Sequence, residues 1–209
     1  MGQATTKHVP TVEVYFDLSS PWNYLGFESM LRLAARIEMN LVWKPMLLGA
    51  VFNAVNRGVY EIRREANPRK ESYLRKDLAD WSAFMGIPIG FSPTVFPVNS
   101  AAAMRGALVA ADEGRFVPYV RSVAEAYWKH DLDISSLTLL GEIASLVEID
   151  RDGFLAAVGS DPVKARLRNN TEELMQRGGF GGPTIFVDET DMYFGNDRIM
   201  LIERKLLGI

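Results

Sequence analysis

Between Thr11 and Asp17, apolar Val12, Val14 and Phe16 alternate with Thr11, Glu13 and Tyr15. Period-two alternation in β-branched and aromatic company predicts a strand. Leu18-Ser19-Ser20-Pro21 follows. Serine before proline is a helix-start signal, with Ser20 as N-cap and Pro21 as the first helical residue. Tyr24, Phe27, Leu31, Ala34 and Ala35 then recur at helical spacing, which predicts a helix to about Ile37. Asn40 to Met46 reads as a second strand. Strand–helix–strand over so short a stretch is a βαβ unit, whose strands run parallel and whose crossover is right-handed.

From about residue 47 to residue 177 the pattern is helical. Tyr73-Leu74, Leu78, Trp81 and Met85 recur every three or four positions, as do Met104, Leu108 and Ala111, and then Leu137, Leu140, Ala144 and Val147. Asn67-Pro68, the stretch from Ile87 to Pro97, and Gly114 interrupt the runs. Asp133-Ile134-Ser135 is expected to cap one helix and Asp161-Pro162 to begin another. After the glycine-rich turn Gly178 to Gly182, Thr184–Asp188 and Met192–Phe194 read as two strands joined by a tight turn at Glu189 to Asp191. Gly195-Asn196-Asp197 stops the second and caps a last helix carrying Ile199, Ile202 and Leu206 on one face.

The order βαβ, helical block, ββα predicts an α/β protein: a thioredoxin-like four-stranded mixed sheet with an all-helical domain inserted between its halves. The expected boundaries are 11–60 and 178–209 for the two sheet-forming parts and 61–177 for the insertion.

Composition narrows the chemistry. The chain has 209 residues, 48% hydrophobic and 23% charged, which excludes wholesale disorder. A net charge of −3 gives no footprint for nucleic acid or an anionic membrane. Cysteine is absent, which removes disulfides, a protein thiolate nucleophile, a sulfur zinc cage and a dithiol redox pair. His8 and His130 are the two histidines, without metal-type spacing, so no metal is expected; no G-x-S-x-G elbow marks a serine hydrolase. Residues 1–10 carry no apolar leader segment and no run of about 18 apolar residues occurs, so the expectation is a cytoplasmic protein without a membrane span.

Three segments could carry chemistry, and each has a plainer reading. Ser20-Pro21-Trp22-Asn23 lies where the first strand hands over to the first helix; alone it is a helix cap. Gly181-Gly182-Pro183-Thr184 precedes a strand; alone it is a turn, since only about 5–6% of X-Pro bonds are cis. As a functional loop it would face the helix start and offer the Gly182 backbone to an extended peptide. Gly195-Asn196-Asp197-Arg198 alone is a helix cap; with a ligand it would hold an amino-acid ammonium on its acceptors and a carboxylate on its N–H groups.

Taken together, Tyr15-Phe16-Asp17-Leu18-Ser19-Ser20-Pro21-Trp22-Asn23-Tyr24-Leu25, Lys44-Pro45-Met46-Leu47-Leu48-Gly49, Gly181-Gly182-Pro183-Thr184-Ile185-Phe186 and Phe194-Gly195-Asn196-Asp197-Arg198 resemble the kappa-class glutathione transferases and the related 2-hydroxychromene-2-carboxylate isomerases, proteins of DsbA-like thioredoxin fold. The likeness runs over residues 11 to 208. It implies glutathione as cofactor, with Ser20 as the residue that activates its thiol. It implies that Gly182, before a cis Pro183, pairs its main chain with the glutathione cysteine, and that Asn196 and Asp197 hold the γ-glutamyl end. It assigns Lys70 to a glutathione carboxylate and an asparagine after the second strand to the same ligand: Asn56 is preferred, with Asn53 left open. It further implies a homodimer. Two positions depart from the pattern. Gly182 replaces a usual apolar residue, which loosens the loop. Asn23 replaces a smaller one, which implies a narrower mouth.

The chemistry is self-consistent. Glutathione brings the sulfur this chain lacks. A thiol of pKa about 8.5 must be shifted by about two pH units to be largely ionised at neutrality, roughly 2.7 kcal/mol in favour of the charged form. A hydrogen bond to a charged group supplies about 1.5–3 kcal/mol and a helix N-terminus about 0.3–2 kcal/mol. One serine hydroxyl at a helix start is enough. The leading expectation is an isomerase acting on a small aromatic or chromene carboxylate. The alternatives are a transferase conjugating electrophiles, and a non-catalytic thioredoxin-fold module that binds peptides at Pro183. Trp81, Phe84, Met85, Phe96, Tyr127 and Trp128 are the expected lining for the second substrate, while Arg63, Arg64 and Arg75 read as a solvated charge run.

Overall fold

The computed structural model describes residues 8–65 and 67–209; residues 1–7 of the polar N-terminal stretch, residue 66 and the side chains of Ile62 and Arg63 lie outside the described residues. Strands β1 (Thr11–Phe16), β2 (Asn40–Pro45), β3 (Thr184–Val187) and β4 (Asp191–Phe194) form one sheet in the order β2-β1-β3-β4. β1 pairs parallel with β2 and antiparallel with β3, and β3 pairs antiparallel with β4. Helix α1 (Pro21–Ala34) makes the crossover from β1 to β2. Between β2 and β3 run α2 (Leu48–Val55), α3 (Gly58–Arg64), α4 (Pro68–Met85), α5 (Ala101–Asp112), α6 (Phe116–Trp128), α7 (Leu137–Leu146), α8 (Arg151–Gly159) and α9 (Asp161–Gln176). After β4 a 3-10 turn, Asn196–Arg198, leads into α10 (Ile199–Leu207). This is the mixed thioredoxin-like sheet with a helical insertion that the element order predicts.

Several element ends differ from expectation. α1 stops at Ala34, short of Ile37. The cap of α7 is Ser136, which accepts from Leu139 N; Asp133 instead accepts from Ser135 N at 2.9 Å, a local turn that precedes the helix. Asn196 and Asp197 make no side-chain capping bond; they form the 3-10 turn itself.

Both faces of the sheet are covered. Val12 and Val14 pack with Met30, Leu33, Ile199 and Ile202 beneath α1 and α10. Tyr15 and Phe186 pack on the other face with Val51 of α2 and Leu174 of α9. The alternation in β1 therefore does not mark a wet face. Glu13 and Tyr15 point at α9, where Arg177 reaches Glu13 at 2.7 Å and the Tyr15 hydroxyl at 2.8 Å, with Lys44 3.1 Å from Glu173. The Arg177 guanidinium lies 3.8 Å from the Phe186 ring centre. Burial, together with Glu173, pushes the Tyr15 phenol above its ordinary value, so it stays a neutral donor and acceptor in this cluster. The core of the helical block is continuous with Phe16, Leu18, Tyr24 and Phe27 at the β1–α1 junction, so the insertion is packed onto the segment that carries Ser20.

One glycine fixes how closely the two halves approach. A Cβ at Gly26, inside α1, would lie 2.8 Å from Pro183 Cγ. Alanine in place of a helix-interior glycine normally stabilises by about 0.5–1 kcal/mol, whereas overpacking costs about 1–3 kcal/mol. Gly26→Ala is therefore expected to lower stability in a denaturant titration; a gain would show that the contact is not tight.

Candidate active site

The site is built where three helix starts meet. β1 ends at Phe16 and delivers Asp17, whose side chain is 1% exposed. Its carboxylate accepts from Ser19 N at 2.9 Å and from Leu48 N, at the start of α2, at 2.8 Å. The Ser100 hydroxyl, at the start of α5, is a third donor. Burial pushes the Asp17 carboxyl above its usual range, and the bonds from Ser19, Leu48 and Ser100 pull the other way.

Ser20 is the N-cap of α1 by position and backbone, φ −119° and ψ 129°. Its carbonyl accepts from Asn23 N and Tyr24 N at 3.1 and 3.3 Å. Its hydroxyl makes no capping bond. Ser20 is half-buried and borders a cavity of about 720 Å³ that also touches Trp22, Leu48, Phe96, Ser100 and Gly182. Among the described residues that line it, none is charged. A second cavity of about 500 Å³ shares Trp22, Gly182 and Phe194 with the first and extends to Asn196 and Asp197. Asn196 is 7% exposed and its Nδ2 has no partner, while Asp197 is ion-paired with Arg198.

The remaining named residues fall in different places. The Gly182–Pro183 bond is cis, and the Pro183 ring is buried against α1. Asn56 ends α2 and donates to Phe180 O at 3.1 Å; it braces the glycine turn and borders neither cavity. Asn53 is exposed, and its carbonyl accepts from Arg57. Lys70 is exposed in the first turn of α4, outside both cavities. Trp81 borders the second cavity, next to Asn196, and not the first. Phe84 is 82% exposed beyond Trp81, three residues round the helix. Trp128 is fully buried; its indole N–H donates to Leu18 O at 2.9 Å, so it supports the Ser20 turn from beneath. Tyr127 likewise donates to Val95 O at 2.8 Å and Met85 is core, whereas Phe96 does line the first cavity. As lining residues, Phe84, Met85, Tyr127 and Trp128 are thus corrected: helical periodicity marks a face, and that face meets core or solvent here. Asn23 is corrected too. It is fully buried and lies beneath Gly182, so it narrows no mouth. Arg75 is tied to Glu71 at 2.9 Å and lies 5.2 Å from the Phe91 ring centre, and Arg64 is exposed.

Asp77 and Tyr73 on α4 border the second cavity and were not anticipated. Both lie on the Trp81 face at spacings of four, so the signal was present in the sequence. In the sequence Asp17 reads only as the end of a strand.

This sheet order, with a cis-proline loop set against the first helix, defines a thioredoxin-fold protein. The chain matches the model of the DsbA-like thioredoxin domain over residues 11–207 and belongs to that family. It is 29% identical over 199 residues to 2-hydroxychromene-2-carboxylate isomerase of Pseudomonas putida, covering 93% of each chain. It is also 29% identical over 209 residues to glutathione S-transferase kappa 1 of Homo sapiens, covering 94% of this chain and 90% of that one. A solved 2-hydroxychromene-2-carboxylate isomerase superposes with a TM-score of 0.81 at 26% identity over 95% of each chain. These relatives are enzymes. No helix among the described residues is long and apolar enough to cross a membrane.

Asp17→Asn keeps the shape but leaves one buried N–H without its carboxylate oxygen. It is expected to cost about 1–3 kcal/mol, read from chemical denaturation; unchanged stability would contradict the role given to Asp17.

Proposed function

We propose that the chain is a glutathione-dependent isomerase in which Ser20 holds the cofactor's sulfur as thiolate. One observation carries the reading: Ser20, whose hydroxyl caps nothing, borders a cavity at the N-terminus of α1, and that cavity shares Trp22, Gly182 and Phe194 with a second one bordered by Asn196, whose Nδ2 has no partner. Gly182 lines both cavities, so an extended tripeptide could reach from one to the other with its middle residue at the loop. When bound, glutathione supplies a sulfur that adds reversibly to the conjugated double bond of an aromatic or chromene carboxylate, so that the bond can turn before the sulfur leaves.

The chain's own residues do the rest. Ser20 donates its hydroxyl proton in a hydrogen bond to the sulfur, and the positive end of α1 favours the anion. The Gly182 main chain aligns the cysteine of the tripeptide. Asp197 receives the γ-glutamyl ammonium, with Asp77 of the same cavity as a further acceptor, and the unpartnered Asn196 Nδ2 donates to the γ-glutamyl carboxylate. Asn56 serves through the glycine turn that it braces. Lys70, at the rim of α4, meets a glutathione carboxylate from solvent. Phe96, Trp22 and Leu48 shield the reacting carbon from water. A reducing compartment such as the cytoplasm, where a free thiol persists, suits this chemistry. A homodimer would cover exposed Phe84 and Tyr73 on α4, and light scattering measures its mass.

The second reading is conjugation of electrophiles, and the uncharged lining of the first cavity favours it, since a buried carboxylate without a cationic partner is costly. Product analysis separates the two. Regenerated thiol marks isomerisation, and a stoichiometric adduct marks transfer.

Ser20→Ala is expected to leave glutathione affinity within about three-fold, while the pKa of the bound thiol returns toward about 8.5 and turnover at neutral pH falls about ten-fold or more. Ultraviolet thiolate absorbance and steady-state rates check this. A variant with the thiol pKa and turnover of the parent protein would overturn the role of Ser20.

A further inference from the structure

Gly182 lacks a side chain at a crowded point. A Cβ built there would lie 2.6 Å from Asn23 Oδ1, 3.1 Å from Asn23 Nδ2 and 2.7 Å from Met46 Cε. Asn23 is fully buried, and neither of its amide atoms has a hydrogen-bond partner. A buried, unsatisfied polar group costs about 1–3 kcal/mol, so this amide is not there for stability alone. It fills the room that a side chain at 182 would take. Met46 closes the same space from the end of β2.

The match extends along the helix. Ser20, Asn23 and Gly26 follow at three-residue spacing on neighbouring positions of one α1 face. Asn23 meets Gly182, and Gly26 meets Pro183. Bulk on the helix at 23 thus answers the lack of bulk on the loop at 182, and the lack of bulk at 26 answers the proline ring. The separation between the Ser20 hydroxyl and the Gly182 main chain is therefore set by what stands at position 23.

We propose that Asn23 is a positioning residue, and that Asn23 and Gly182 form an interdependent pair that holds the Gly182 main chain in register with Ser20 for a thiol-bearing peptide ligand. The ligand's identity rests on the glutathione reading; the pairing does not. A side chain at 182 pushes the loop away from α1 and pulls its N–H and carbonyl off the ligand. Removing the amide at 23 makes room for that side chain and brings the loop back. The two substitutions are non-additive for this reason.

The test is a double-mutant cycle on the full chain: Gly182→Ala, Asn23→Ala and both together, read by the glutathione KM, kcat at saturating glutathione, and the melting temperature. Gly182→Ala is expected to raise the glutathione KM about ten-fold, about 1.4 kcal/mol, with kcat changed less than about three-fold, because binding geometry and not the reacting group is disturbed. Combining it with Asn23→Ala is expected to return KM to within about three-fold of the parent protein and to recover the melting temperature that Gly182→Ala loses. Additive effects on KM would overturn the pairing. So would a Gly182→Ala protein that loses kcat and melting temperature at unchanged KM, since that marks a merely structural glycine. If Gly182→Ala alone does not fold, a folded double variant with near-parental KM supports the pair, and failure of both to fold overturns it. If the parent protein binds no glutathione by calorimetry, the functional reading and the positioning role fall together, while melting-temperature coupling alone still separates a packed pair from independent sites.

Discussion

A single buried carboxylate sets the geometry of this site. Asp17 lies at the end of the central strand with almost no exposure, and its oxygens are taken up by Ser19 N, Leu48 N and the Ser100 hydroxyl. A carboxyl in that position is costly unless every acceptor is used. The donors that satisfy it come from the starts of α1, α2 and α5, three walls of the larger cavity. Moving any of these helices takes a donor from the buried carboxyl, so the walls are held in place by hydrogen bonds as well as by packing.

Above that anchor, the Ser20 hydroxyl is left uncommitted. A serine at an N-cap ordinarily spends its oxygen on the first turn of its own helix. Here it does not, and the indole of Trp128 bonds to Leu18 O beneath the same turn. The support comes from elements distant in sequence, and Ser20 lines the larger cavity. The same division recurs across the sheet. Arg177, Lys44, Glu13 and Glu173 bind one another on the sheet face that α9 covers, which fastens α9 to β1 and β2 without placing charge among the described residues that line the cavity.

Much of this was legible in the sequence because it is local. Alternation at Val12, Val14 and Phe16, the Ser20-Pro21 start and the glycine turn before Pro183 each report their own few residues, and their order yields the sheet. What could not be read is what depends on distant partners. The aromatic periodicity of α4 and α6 marks faces but not what those faces meet, so Trp128 is a buried prop and Phe84 lies in solvent. Asp17 reads as a strand end because its donors at Leu48 and Ser100 come from far along the chain. Asp77 needed only the four-residue step from Trp81, yet its relevance depends on Asn196 arriving from the opposite end of the chain. Asn23 and Gly182 lie far apart along the chain, and only the fold brings them into contact.

The central claim is that a borrowed sulfur lies against the Ser20 hydroxyl at the head of α1. A crystal structure of the protein soaked with glutathione tests it most directly. The account predicts sulfur density within hydrogen-bonding distance of Ser20 Oγ, the tripeptide main chain alongside Gly182, and the γ-glutamyl end toward Asn196 and Asp197. A sulfur bound elsewhere, with the Ser20 hydroxyl left facing an empty cavity, would contradict it.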